Sequence, residues 1–254
     1  MREIKSWITD EELSFITTSS YWNDVEEEMK KPMWIVDGDY KKCLNYLKSS
    51  KLLYEYQIAE KFVKEFSGRD LKIADIAAGI GWTSALLSKL PFVEEVHAVD
   101  ISKHRLGSLF EHSIKMISGE EKKIYRYLGN FYDLRFDDKS MDIIFMSQAF
   151  HHAYKPLKLL IECDRVLKEG GRIILVGEHN IGMRLFIIKF LSKLIKERKL
   201  VTNFYQIFPP NKTLGDHYYR RSDYYFIFGS LGYIVRHQKL HSKSIIYIAD
   251  KKRS

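Results

Sequence analysis

The chain is poor in cysteine. Its 254 residues hold two, Cys43 and Cys163, far apart in sequence, so a disulfide framework is not expected. No Cys/His spacing suggests a metal cage, and no metal is expected from the sequence. No run approaches the roughly 18 consecutive apolar residues that a bilayer-spanning helix needs. The opening Met1-Arg-Glu-Ile-Lys5 lacks the apolar stretch of a secretory leader. Internal repeats and low-complexity tracts are also missing. These absences predict a cytoplasmic protein with reduced thiols.

What is present suits one full α/β domain with room for a small appendage. The hydrophobic fraction, 45%, is ordinary for a globular chain and argues against extensive disorder. A net charge of +8 points to acidic partners: nucleic acid, phosphorylated sugars or an anionic membrane face. Much of it is local. Arg184, Lys189, Lys193, Lys196, Arg198 and Lys199 stand against the single acid Glu197, whereas Asp24 and Glu26–Glu28 make the amino-terminal region acidic.

Residues 1–70 read as an amino-terminal helical cap. An apolar stripe runs through Leu44, Leu47, Leu52, Leu53 and Tyr56, continues through Ile58, Phe62, Val63 and Phe66, and stops at Ser67-Gly68. From Leu71 strands and helices alternate. Strands are expected at 72–77, 95–99, 123–128, 142–146 and 171–178, and helices at 82–90, 102–117 and 156–168. Such alternation predicts a parallel sheet with right-handed crossovers and helices on both faces. A further helix near 222–231 closes with Gly232. Two strand-like runs follow, 233–240 and 244–249, and their short link permits only an antiparallel hairpin. The core is thus expected to span 71–254, with an insertion at about 179–221.

Residues 73–84 carry the most information. An apolar run meets Gly79-Ile80-Gly81, and a helical pattern begins at once. Glycines sit where the backbone must bend tightly and admit a ligand at the mouth of a helix. Asp100 ends the next apolar run and is suited to gripping two ribose hydroxyls. A nicotinamide or flavin fingerprint would place a small residue after Gly-x-Gly-x-x; here that position is Ser84, and the small residues lie upstream.

The resulting Asp75-x-Ala77-x-Gly79-x-Gly81 resembles the Asp/Glu-x-Gly-x-Gly-x-Gly motif of class I S-adenosylmethionine-dependent methyltransferases, with Ala77 in place of the first glycine. Since alanine tolerates positive φ poorly, ordinary strand geometry is expected there. The family's later steps have counterparts at Gly129-Asn130, Ser140-Met141-Asp142, Phe150-His151-His152 and Arg165 to Gly171. Asn130 stands where an acid is commonest, and Glu169 replaces a usual proline. The resemblance covers residues 70–178 well and the terminal hairpin in outline. It implies a Rossmann-like, seven-stranded, mostly parallel sheet with a carboxyl-terminal antiparallel hairpin, and S-adenosyl-L-methionine as cofactor. By position, Asp75 would approach the methionine amino group, and Ala77, Gly79 and Gly81 would pass alongside the cofactor. Asp100 would hold the ribose. Ile101, Asn130 and Phe131 would enclose the adenine, and Ser147 or Gln148 would lie near the amino-acid moiety.

The sulfonium methyl is already electrophilic, so the protein chiefly aligns a nucleophile. A hydroxyl acceptor also needs its proton removed, for which His is suited near neutral pH. Some O-methyltransferases keep a catalytic His at the place matching His151; His217 is the other candidate. For the His151-His152 pair the plain alternative is that it shapes the pocket or caps the loop. Residues 183–199 form a basic amphipathic pattern that suits a lid, a membrane-surface foot near a lipid-linked substrate, or a partner-docking helix. The leading expectation is methyl transfer to a small-molecule or glycan-like acceptor, at oxygen. RNA methylation and a non-catalytic cofactor-binding subunit stay open as alternatives.

Overall fold

Residues 71–76 and 141–147 are apolar on both alternating sets of positions, as strands of a parallel sheet sandwiched between helices must be. The computed structural model describes residues 1–15, 24, 26, 39–179, 181–198, 200–201, 203–211, 215–241 and 244–252. Glu27, Glu28 and Lys199, named above for their charge, lie outside the described residues.

In chain order the described elements are β1 (Lys5–Ser6), α1 (Asp10–Phe15), α2 (Tyr40–Ser49), α3 (Leu52–Lys64), β2 (Leu71–Ile76), α4 (Trp82–Ser88), β3 (Val93–Asp100) and α5 (Phe110–Ile117). Then come β4 (Ile124–Leu128), β5 (Met141–Ser147), α6 (Pro156–Val166), β6 (Leu167–His179), α7 (Met183–Glu197), α8 (Phe204–Ile207), α9 (Arg221–Ser230), β7 (Ile234–His241) and β8 (Ser244–Asp250). The sheet has eight strands in the order β1-β4-β3-β2-β5-β6-β8-β7. β8 runs antiparallel to both β6 and β7, so the expected terminal hairpin is present. The eighth strand is the addition. Lys5 and Ser6, in a region read as helical, pair in parallel with Tyr127 and Leu128.

The helix expected over 102–117 is broken. A π-helical turn at Arg105–Leu109 includes Gly107 at non-helical φ/ψ, and regular α-helix begins only at Phe110. Pro156 opens α6, where its missing N–H and fixed φ cost nothing.

Each face of the sheet carries its own apolar layer. Ile143, Phe145, Ile174 and Val176 join Leu47, Tyr56 and Val63 of α2 and α3, and Ala85 and Phe110 of α4 and α5. Ile144, Met146, Ile173 and Leu175 join Leu159 and Cys163 of α6 and Tyr224 and Phe228 of α9. Cys43 and Cys163 are both buried and free, in opposite layers. Among the described residues no helix is long and apolar enough to cross a membrane.

From β2 the chain moves outward to β3 and β4, then returns to β5 on the other side of β2. That reversal leaves a crevice at the carboxyl ends of β2 and β5, where open α/β sheets bind ligands.

Candidate cofactor and acceptor site

β2 ends at Ile76, and a tight bend feeds α4. Ala77, Gly79 and Gly81 all take left-handed φ, at 55°, 56° and 74°. Ordinary strand geometry at Ala77 is therefore corrected. A left-handed alanine costs on the order of 1 kcal/mol, and the bend is held in that shape from three sides. Ala78 N–H donates to Val99 O (3.1 Å), Gly81 N–H to Ala78 O (2.9 Å) and Gly79 N–H to Asp100 Oδ2 (2.7 Å). The two glycines serve different ends. A Cβ on Gly81 would overlap the Phe110 ring, whereas one on Gly79 would meet only Arg105 Nη1 at an ordinary 3.7 Å. Packing explains Gly81. At Gly79 it is the positive φ, not packing, that favours glycine.

Asp75 is 1% exposed. Its Oδ2 accepts from Thr83 Oγ (2.7 Å) and Ser84 Oγ (2.6 Å), and its Oδ1 has no hydrogen-bond partner. Burial pushes its pKa up to about 6, against the pull of those two hydroxyls. An unpartnered buried carboxylate oxygen is costly unless something polar meets it, and the ammonium of a methionine moiety is such a group. The Tyr56 hydroxyl, reaching in from α3, is also buried without a partner; burial, Glu60 and Asp75 hold its pKa well up.

Asp100 is 8% exposed. Gly79 N–H binds one carboxylate oxygen and Ser102 N–H the other (2.8 Å). Burial raises its pKa, while Arg105, the two backbone donors and His152 oppose the rise. A carboxylate has about four acceptor sites, so two remain for ribose hydroxyls. Gly129 N–H donates to Asp100 O (3.0 Å) and brings the next loop alongside. There Asn130 Oδ1 accepts from Tyr132 N–H (3.0 Å), and Phe131 and Ile101 are half-buried. Trp7, just past β1, packs on Tyr127 and Phe136 with ring centroids at 4.8 and 4.9 Å. A Cβ on Gly129 would overlap it. Nothing in the local sequence marks Trp7; only the parallel pairing of β1 with β4 brings it here.

At the tips of β5 and β6 a second cluster forms. Ser147 ends β5 opposite Val176, and Gln148 turns back at φ 53° with its N–H on Val176 O (2.7 Å). His151 is buried, and its Nδ1 lies 3.1 Å from Glu178 Oε2. Glu178 is 0% exposed and also accepts from Tyr224 Oη (2.6 Å) and Phe150 N–H (3.2 Å). Burial works against a charged His151, yet the Glu178 carboxylate outweighs it and raises the imidazole pKa. The His152 and His179 rings each lie tilted against His151 with centroids 4.5 Å away, and His152 Nδ1 lies 3.0 Å from Asp216 Oδ1. His217 is tied in by its backbone, donating to His151 O (2.7 Å), while its ring lies against Tyr154 and Tyr219. Burial lowers its pKa. Sequence reasoning missed Glu178, His179, Asp216 and Tyr224. The signal available was an acid and a His closing the apolar run Ile173–Val176.

The residues present fit S-adenosylmethionine. An orphaned buried carboxylate oxygen, a left-handed glycine bend and a second carboxylate with spare acceptor sites stand together at the carboxyl ends of β2 and β3. A family model described as a methyltransferase domain matches residues 74–175. An uncharacterized methyltransferase of Bacillus subtilis is 34% identical over 108 residues, 42% of this chain and 41% of that protein. A demethylmenaquinone methyltransferase of Clavibacter sepedonicus is 34% identical over 104 residues, 41% and 40% of the two chains. The match thus spans about two fifths of these relatives' length. The fold extends further. The crystal structure of magnesium protoporphyrin IX methyltransferase from Synechocystis, with S-adenosylhomocysteine bound, superposes with a TM-score of 0.63 over 92% of this chain and 97% of that one, at 14% identity. Motif, sheet order and these likenesses agree: residues 74–175 match a methyltransferase domain, and the fold around them is that of S-adenosylmethionine-dependent methyltransferases.

Proposed function

We propose that this chain transfers a methyl group from S-adenosylmethionine to a hydroxyl oxygen of a small-molecule or glycan-like acceptor, with the acceptor facing His151. One observation carries the reading. β2, β3 and β5 run parallel in one sheet, so Asp75, Asp100 and the histidine turn that follows Ser147 stand at the same edge of it.

When bound, S-adenosylmethionine supplies an electrophilic sulfonium methyl. Asp75 holds the amino end, the Gly79 bend lies alongside, and Asp100 fixes the ribose. Ile101, Asn130 and Phe131 border the base, and Ser147 stands beside the amino-acid moiety. His151 is favoured over His217 as the group that meets the acceptor's proton, because a buried carboxylate fixes the His151 ring. Held this way, Nδ1 donates to Glu178 and Nε2 is the free acceptor, an arrangement that sets both tautomer and direction. The relatives named for demethylmenaquinone and magnesium protoporphyrin IX support a small-molecule acceptor. Ser147-Gln148-Ala149-Phe150 lacks the Asn/Asp-Pro-Pro-Tyr step of base-amino methylation, which weighs against RNA.

A lipid-linked acceptor has support of its own. α7 turns Phe186 toward Phe204 and Phe208, with Phe190 beside Phe186, while Met183, Ile187, Ile188, Leu191 and Ile195 stand exposed. Lys189, Lys193 and Lys196 lie along another arc. Such a helix suits the interface of an anionic membrane.

Incubating the protein with methyl-labelled S-adenosylmethionine and a cell extract tests the reading. Label is expected in the small-molecule or glycolipid fraction. His151→Ala should lower turnover about 100-fold, and Asp100→Ala should weaken S-adenosylhomocysteine binding by about 1–3 kcal/mol. Label confined to RNA overturns the acceptor class. Tight cofactor binding with no transfer to any fraction favours the non-catalytic subunit.

A further inference from the structure

We propose that His151, His152 and Asp216 form a site for one divalent transition-metal ion, held at the acceptor end of the crevice. His151 and His152 are neighbours in the chain and Asp216 comes from a distant loop, and each offers a donor atom within 4.8 Å of the others. His152 Nδ1 and Asp216 Oδ1 are 3.0 Å apart. Bonds of about 2.1 Å at right angles put two donors roughly 3.0 Å apart, so this spacing suits ligands of a shared ion. His151 shows the matching support. Its Nδ1 is engaged by the fully buried Glu178, which Tyr224 and Phe150 hold in turn, leaving Nε2 as the donor. Metal-bound imidazoles characteristically give their other N–H to a carboxylate in this way. The His179 ring lies tilted against His151, and its buried Nε2 has no hydrogen-bond partner, which makes it a candidate further donor.

Two imidazoles and a carboxylate with no thiolate favour Mn2+, Fe2+ or Zn2+ over Ca2+ or a soft ion. Three protein donors leave open positions, which an acceptor with adjacent oxygens can fill. The site stands on its own geometry, while its role toward the acceptor rests on the methyl-transfer reading, with the ion taking the place of His151 Nε2 as the group that activates the acceptor oxygen. In that role the ion lowers the cost of breaking the acceptor O–H bond, whose proton passes to water. The O–CH3 bond forms as the S–CH3 bond breaks, and sulfur keeps the electron pair.

The full chain, stripped with EDTA and titrated with MnCl2, tests this by loss of the free Mn2+ electron paramagnetic resonance signal; ZnCl2 calorimetry gives a second readout. One equivalent should bind. Asp216→Asn and His152→Ala should each weaken binding at least about tenfold, and Glu178→Gln about 10–100-fold. Circular dichroism checks that each variant folds, and Asp216→Asn, in a half-exposed loop, serves if His152→Ala does not. Absence of saturable Mn2+ and Zn2+ binding, or binding unchanged in Asp216→Asn, overturns the site. Full turnover by stripped protein, with His151→Ala inert, overturns the ion's role and leaves methyl transfer standing with the imidazole as base. Stoichiometric Mn2+ binding by a protein that methylates nothing supports the site and overturns the transfer reading instead.

Discussion

Two buried carboxylates sit at the heart of this crevice, and their protonation carries a testable sign. The folded chain holds the Asp75 proton more tightly than the unfolded one, with a pKa raised from 3.8 to about 6. This group therefore contributes stability that is complete below about pH 4 and lost as pH rises through about 6. An ammonium beside Oδ1 favours the ionised form. Affinity for S-adenosylhomocysteine should accordingly climb between about pH 5 and 6 and level off above. Calorimetry over that range should show the slope, and Asp75→Asn should flatten it. A slope unchanged in the variant would remove Asp75 from the cofactor. The two glycines of the bend should also separate. Gly81→Ala drives a methyl into Phe110 and should cost about 2 kcal/mol or more in denaturant unfolding. Gly79→Ala, which has room, should cost about 1 kcal/mol but should abolish most cofactor binding. Equal stability losses would mean that both glycines serve packing.

At the level of elements, α7 makes the clearest claim. Most of its large apolar side chains are exposed while Phe186 anchors on α8 and the segment after it. Vesicles rich in phosphatidylserine should sediment the protein, and phosphatidylcholine vesicles should not. Reversing Lys189, Lys193 and Lys196 to Glu should weaken that binding at least tenfold, since each basic residue near an anionic surface contributes about 1 kcal/mol. Retention by neither lipid would argue for a lid over the site. The helical stripe of α7 was legible in the sequence because amphipathic periodicity is a local property. Its exposure was not, because which face meets the protein depends on where α8 and the following prolines place Phe204 and Phe208. β1 was missed for a related reason. Two residues carry no periodic signal, and their pairing with Tyr127 and Leu128 is non-local.

For the molecule as a whole, the sheet and its two apolar layers should respond to the cofactor as one unit. A ligand that binds only the folded state stabilises it by RT ln(1 + [L]/Kd), about 2.7 kcal/mol at a hundredfold excess over Kd. For a chain of this size S-adenosylhomocysteine should raise the unfolding midpoint by about 5 °C or more, measured by differential scanning calorimetry. No shift at saturating ligand would contradict cofactor binding at the strand tips.

The order of strands and helices from Leu71 onward, the terminal hairpin and the Asp75-to-Asp100 end were readable in the sequence. They follow from short-range periodicity, from glycines that relieve a tight bend, and from a spacing the βαβ unit itself imposes. The left-handed Ala77 ran against its residue type, because three hydrogen bonds of the bend outweigh a local preference. Glu178, His179 and Asp216 lie far from His151 and His152 in the chain or on another strand. Only the closure of β6 beside β5, with the 215–219 loop laid over both, turned two adjacent histidines into a cluster that can orient an acceptor or hold an ion.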